Sequence, residues 1–247
     1  MLHVLKRHPL SIEAFLRRSL VLTYAFPRRL LEPLLPPGLA LDVYGDFGFL
    51  AIALVQTEGL RPAFLPAALG RDFFLSGYRI FTRLGSRRGL WILRSDTNSP
   101  WLVRTGNLLT RYRYRLCRVD LTETRDYLDC SIHTPEAEAD LEVRAEIGGA
   151  PAPLPAGSPF SNAKDARRFA GPLPNTFDYE PESHSIVSVR GVRREWDPRP
   201  VAVEVRKNTF LQREPFCRAA PILANSFYVR DVPYRWERGT RTAVEPR

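Results

Sequence analysis

Methionine, cysteine and lysine are all scarce in this chain of 247 residues: there is one methionine, and there are three cysteines. Of 36 basic residues only Lys6, Lys164 and Lys207 are lysines, and the rest are arginines. Cys117, Cys130 and Cys217 form an odd, widely spaced set without a CxxC pair, which excludes a disulfide framework and the usual zinc spacing. They read as inert thiols of a reduced compartment. His3, His8, His133 and His184 are equally scattered, so no metal site is expected. There is no GxSxG elbow and no recognisable pairing of histidine with serine or cysteine, which argues against a nucleophilic triad. The glycines of "GDFG" (residues 45–48) lack the strand–turn–helix context of a phosphate loop, so no nucleotide cofactor is expected. The longest apolar run, Phe47 to Val55, is far short of the ~20 residues of a membrane-spanning helix. Basic residues break up the N-terminal apolar stretches before they reach signal-peptide length. The expectation is a cytoplasmic protein with no cofactor, no metal and no membrane partner.

What is present is aromatic and basic. With 44% hydrophobic residues, 14 Phe, 9 Tyr and 4 Trp, the chain has material for a substantial core. A formal charge of +9 and a pI near 9.9 raise nucleic acid or another acidic partner as a class to weigh. Against it, the arginines are spread from Arg7 to Arg247 without a compact basic tail, and the arginine bias also fits GC-rich coding.

Along the chain, Ser11 to Arg18 has the spacing of a short capped helix. Leu20 to Phe26 reads as a strand, and Pro27 opens a helix that Pro36-Pro37-Gly38 ends. Continuous apolarity from Asp46 to Val55 argues a strand covered on both faces. Strands are expected over 73–83 and 90–96, and a helix or lid-like connection over 100–109. The stretch "TRYRYRLCRV" (110–119) reads as a strand with arginine and aromatic residues on opposite parities. Further strands follow in "YLDCSIHT", "LEVRAEIG", "HSIVSVRGV", "VAVEVRKNTFL" and "ANSFYVRDV", with a Pro-rich stretch at 151–159. A helix in "SNAKDARRF" is capped by Ser161 or Ser158 and stopped by Gly171-Pro172. The pattern is α+β, mainly antiparallel β, in one domain over residues 1–234, with 235–247 a disordered tail.

Three segments together resemble the DUF2071 (YqjF-like) family, whose fold is similar to acetoacetate decarboxylase: "LTYAFPRRLLEPLLPPGLALD", "FFLSGYRIFTRLGSRRGLWIL" and "RRFAGPLPNTFDYEPESHSIVSVRGVRREWDPRPVAVEV". The resemblance implies a cone-shaped β-barrel around a mostly apolar cavity, with a few short peripheral helices. In the related decarboxylases a lysine forms a Schiff base with a β-keto acid, which needs a primary amine of depressed pKa. Where those enzymes have paired lysines, this chain has Thr110, Arg111, Tyr112 and Arg113, and no lysine lies between Lys6 and Lys164. Arginine cannot supply the amine. Family-type Schiff-base chemistry is therefore not expected, and catalytic residues are not assigned.

The candidate ligand-binding residues are Tyr78, Arg79, Arg111, Tyr112 and Tyr114. In a barrel strand alternate residues face in and out. Either Tyr112, Tyr114 and Leu116 line the interior with Arg111, Arg113 and Arg115 in water, or Arg111 sits at the cavity mouth and grips a carboxylate. Tyr78 and Arg79 have opposed parities, so one faces inward unless Gly77 allows a bulge. Asp96, Asn98 and Ser99 read as a self-satisfying turn or a polar rim, and Glu58 as a turn residue or an acid–base group. Two readings stand: a barrel holding a small, largely apolar carbonyl or carboxylate compound, and a non-catalytic protein whose arginine-rich exterior meets nucleic acid or an acidic partner. They differ in whether the interior is hollow or packed shut by Phe and Tyr.

Overall fold

In the computed structural model, which describes residues 2–169 and 173–245, strands dominate. β1 (Ile12–Pro27) and β2 (Phe47–Pro62) are apolar on both parities along their central stretches and are buried on both faces there. They are followed by β3 (Arg71–Leu84), β4 (Arg87–Thr97), β5 (Tyr114–Leu116), β6 (Arg118–Glu123), β7 (Tyr127–His133) and β8 (Leu141–Glu146). Then come β9 (Asn175–Glu180), β10 (Ser185–Arg193), β11 (Val203–Asn208), β12 (Ile222–Trp236) and β13 (Thr240–Ala243). The α-helices are short: α1 (Leu2–Leu5), α2 (Arg28–Leu31), α3 (Pro100–Leu109) and α4 (Ala163–Arg167).

Pairing runs antiparallel through β12–β1–β2–β3–β4, passes in parallel from β4 to β9, and returns antiparallel through β10. Gly191–Arg193 of β10 then pair with Tyr234–Trp236 of β12. The sheet thus closes on itself into a ring. This is the mainly antiparallel α+β architecture expected. A second sheet, β11–β8–β7–β6, covers part of the ring's outer surface.

Alternation then divides the core. On β1, β2 and β3, Leu20, Leu22, Leu50, Ile52, Leu54, Phe74, Tyr78 and Ile80 face outward and pack with Leu128, Cys130, Ile132, Leu141 and Val143 of the second sheet. The opposite parity (Val21, Ala25, Phe49, Ala51, Ala53, Val55, Phe81) faces the interior of the ring. A strand buried on both faces needs this double apolar pattern, and it is the feature that Phe47–Val55 displays most clearly.

Several local expectations give way to tertiary pairing. Residues 12–18 are the start of β1, because Ile12 and Leu16 find partners in both Pro62–Thr57 and Trp236–Val232. The run 110–119 is not one strand. Arg113 has φ +56°, which breaks it before Tyr114, and β5 and β6 follow separately. Asn162, not Ser161 or Ser158, caps α4 through a bond from Asp165 N–H. The stop assigned to Gly171-Pro172 lies outside the described residues. The stretch read as a tail from 235 on instead carries the end of β12 and then β13, which pairs with Ser185–Ser188. Strands on both sides of the Pro-rich stretch 151–159 join the same sheet.

Candidate functional site

Inside the ring, side-chain size changes along the strands. At one end Phe49, Phe81, Phe160 and Phe169 fill the space, with Phe49 and Phe169 ring centroids 4.3 Å apart and Phe49 and Phe160 stacked at 5.0 Å. Towards the other end small residues follow one another across neighbouring strands: Val21 opposite Ala53, Ala53 opposite Gly77, Gly77 opposite Ser95. Small side chains cannot meet across the interior, and a cavity of about 280 Å³ remains. Its wall is mostly apolar, with Leu16, Val55, Phe73, Leu75, Leu90 and Ile92 from the ring. Trp101, Leu102, Thr105 and Gly106 of α3 cover it from above, beside Leu60, Pro62, Tyr234 and Trp236.

Arg79 is the last interior residue of β3 before Phe81, so it stands at the inner end of the chamber. It lies deep among protein atoms yet keeps some accessible surface, because that surface faces the cavity. A Cβ on Gly77 would come within 2.8 Å of both Nε and Nη2 of Arg79. The guanidinium therefore folds back over the glycine towards the mouth. Its Nε has no hydrogen-bond partner, and no carboxylate among the described residues is paired with it. Burial depresses its pKa, countered in part by Tyr234, Tyr114 and Tyr112. A guanidinium nevertheless remains protonated in proteins, so the chamber holds a fixed cation without a counter-ion.

Three tyrosines attend it. Tyr114 packs against Gly106, where a Cβ would lie 2.5 Å from the ring. Its backbone is clamped by Asn107, which donates from Nδ2 to Tyr114 O and accepts from Tyr114 N–H, both at 2.9 Å. Tyr112 sits between Tyr114 and His8, with centroids 6.3 and 4.7 Å away, and its buried hydroxyl has no hydrogen-bond partner. The Tyr234 hydroxyl occupies space that Gly191 leaves open. Burial raises the pKa of all three phenols, that of Tyr114 to about 12. They keep their protons at neutral pH and can donate them.

Behind Tyr112 lies a polar cluster. His8 lines the cavity with its Nε2 unpartnered; burial and then Arg111 push its pKa down to about 4, so it is neutral at pH 7. Asp178, two residues on from the cavity-lining Thr176, accepts from Arg111 N–H at 3.1 Å, and burial pushes its pKa up to about 7. The Arg111 side chain points away from the chamber: Nη2 is 3.2 Å from Glu182 Oε2 and 3.6 Å from Glu180 Oε1. Arg7 completes the cluster with two 2.8 Å bonds to Glu180, whose pKa it lowers to about 2.

Of the five residues singled out from sequence, Arg79, Tyr112 and Tyr114 thus meet at one chamber. Tyr78 does not: on the opposite parity of β3, it is fully buried against Phe210 and donates to Ala139 O at 3.2 Å. The extra residue in this region is Leu93 on β4, where the register shifts opposite Tyr78–Arg79, so the two side chains keep opposite faces. Arg111 is committed to carboxylates outside the wall. Leu116 is exposed, and Arg115 pairs with Glu138. Asn98 and Ser99 satisfy backbone N–H groups, those of Phe74 and Leu102, while Asp96 pairs with Arg94 and Glu58 with Arg17. No lysine lines the cavity; Lys207 pairs with Asp140, and Lys164 is exposed on α4. His8, Asp178 and Tyr234 were not singled out. Alternating small residues in Ala51-Ile52-Ala53 of β2 were the available sign of a hollow.

Residues 13–233 match DUF2071, described as an uncharacterized conserved protein. The chain belongs to this family. No curated protein matches it. Among solved structures, it resembles an acetoacetate decarboxylase-like enzyme from Sphingomonas wittichii RW1, with TM-score 0.65 and 16% identity, covering 96% of this chain and 94% of the other. The acetoacetate decarboxylase of Legionella pneumophila gives 0.64 at 12% identity over 96% and 88%. The enduracididine biosynthesis enzyme MppR complexed with pyruvate gives 0.61 at 11% over 94% and 90%. At these identities the likeness is one of fold. This DUF2071 chain thus shares the acetoacetate decarboxylase-like architecture over nearly its whole length.

Proposed function

We propose that the chamber binds a small, mostly apolar compound bearing a carboxylate or a polarised carbonyl. Arg79 meets the negatively charged oxygen, while Tyr112, Tyr114 and Tyr234 donate hydrogen bonds beside it. The observation that carries this reading is Arg79 itself, a deeply placed cation without a counter-ion at the end of an apolar chamber. Such a charge is costly to leave unpaired, and a bound anion removes that cost. Few polar groups converging within an apolar wall is the usual make-up of a small-molecule site. MppR, a protein of the same fold, has been solved with pyruvate, which belongs to the proposed class. Chemistry at such a site would be acid–base or electrostatic, drawing on Arg79, the phenols and neutral His8. The described residues that line the chamber include no lysine, which favours non-covalent chemistry over a Schiff base.

Trp101 and Trp236 line the cavity and report binding by fluorescence. Hexanoate is expected to bind at least about ten-fold more tightly than hexanamide, the margin of one charge-assisted bond. Arg79→Leu is expected to abolish that preference. Equal binding of acid and amide, or a preference that survives the substitution, would refute the anchoring role. Incubation with pyruvate and cyanoborohydride is expected to leave the protein mass unchanged, and a covalent adduct would refute the non-covalent reading.

A further inference from the structure

The mouth of the chamber is bounded by three segments: residues 2–10 with α1, the loop 61–71, and residues 99–113 with α3. Each supplies wall to the cavity, through His8, Pro62 and Trp101 respectively. His8 N–H donates to Leu109 O at 3.3 Å, and Ala63 N–H to Ser11 O at 2.8 Å, which tie the segments together around β1. Of the ten large apolar side chains exposed among the described residues, six lie here: Val4, Leu5, Phe64, Leu69, Trp101 and Leu108. Phe64 is 73% exposed and Leu69 59%. A concentration of this kind around one opening marks an interaction surface.

Charge identifies the partner. The three segments contain no aspartate or glutamate. Apart from the half-buried Lys6, their lysines and arginines fall into two groups. Arg7, Arg61 and Arg111 are held by Glu180, Glu13 and Glu182. Arg71, Arg104 and Arg113 are exposed and have no ion-pair partner among the described residues. Asp72, the acid next to Arg71, accepts the backbone N–H of Gly59 at 2.7 Å.

We infer that this rim docks on an anionic phospholipid surface, with its apolar side chains entering the boundary between headgroups and acyl chains and its arginines meeting lipid phosphates. Exposed aliphatic and aromatic groups flanked by unpaired cations are what such a surface binds, and a tryptophan at the rim suits the headgroup level. No described helix is long and apolar enough to cross a membrane, so the attachment is peripheral. A two-fold contact between copies would set the same cations against one another with no carboxylate in the segments to answer them. Single-stranded nucleic acid wants a run of stacking platforms, and of the six exposed side chains only Phe64 and Trp101 are aromatic. Docked in this way, the chamber opens onto lipid, and an apolar ligand can enter without crossing water.

Flotation with phosphatidylcholine vesicles, with and without phosphatidylserine, tests the docking with no added carboxylate. Its failure and a failure of hexanoate binding are therefore separate results. The protein is expected to float with the anionic vesicles and not with the neutral ones. A Phe64→Ser/Leu69→Ser variant, altered at two exposed positions, is expected to bind at least about ten-fold more weakly with an unchanged melting temperature. Arg71→Gln/Arg104→Gln is expected to lose about ten-fold as well. No flotation, flotation that ignores the apolar substitutions, or a dimer that Phe64→Ser/Leu69→Ser disperses would each overturn the inference.

Discussion

Arg79 and Gly77 act as one unit. The glycine is needed for space: a methyl group there would displace the guanidinium from its seat. Since the displaced atoms are the far end of a flexible side chain, Gly77→Ala is expected to leave the melting temperature nearly unchanged while weakening hexanoate binding in the fluorescence titration by about ten-fold, the scale of one misaligned charge-assisted bond. Arg79→Leu, by contrast, is expected to raise stability. Removing a buried, unpaired cation raises it by about 1–3 kcal/mol, read from urea unfolding of the unliganded protein. A binding residue that destabilises the empty fold is the signature of a site shaped for its ligand, and a drop in stability would argue that Arg79 is merely structural. The sequence showed that Tyr78 and Arg79 oppose one another. Which of them faces inward depends on which side of β3 the second sheet covers.

At the scale of elements, α3 and β5 form one lid-and-wall unit. Gly106 gives the Tyr114 ring room against the helix, and Asn107 holds the Tyr114 backbone from the same turn. Gly106→Ala gains helix propensity, about 1 kcal/mol, but forces a Cβ into the ring of Tyr114. Overpacking of this kind costs about 1–3 kcal/mol, so a small net loss of stability in thermal melts is expected, together with a shift in the Trp101 emission as the lid moves. The alternation of "TRYRYRL" put Tyr112 and Tyr114 on one parity, and both line the chamber. It could not show that Arg113 turns the chain with a positive φ, nor that Arg111 has carboxylate partners at Glu180 and Glu182, some 70 residues further on. Local pattern carries parity, and parity holds only as far as the strand does.

For the whole molecule, the polar cluster beside the chamber couples stability to pH in opposing directions. Asp178, with a folded pKa near 7 against an unfolded value of about 4, binds more protons folded than unfolded in that window, so its contribution falls as pH rises from 4 to 7. His8, depressed to about 4, works the other way: its neutral buried form is favoured above the unfolded value of about 6.5, and that stability is lost as pH falls towards 4. The two offset each other. Wild-type stability is expected to be nearly flat between pH 4.5 and 7, values set by these two shifts. Asp178→Asn keeps an acceptor for Arg111 N–H and removes one slope, so urea midpoints of this variant are expected to climb across the same window. A flat profile in the variant would sink the pairing. Below pH 4, protonation of Glu180, held down to about 2 by Arg7, is expected to add a further loss as its two bonds break.

By itself, the sequence determined the class of fold. Strands apolar on both parities require cover on both faces, and Phe47–Val55 shows that pattern without help from any other segment. Its order of motifs also reached the family. The tertiary structure decided which residues share the chamber, because the wall is assembled from both ends of the chain: His8 at the start, Tyr234 near the end, and Arg79 between them. No local pattern encodes that meeting. It follows from β10 pairing with β12 to close the ring, a contact whose interior volume is set by residues far apart in sequence.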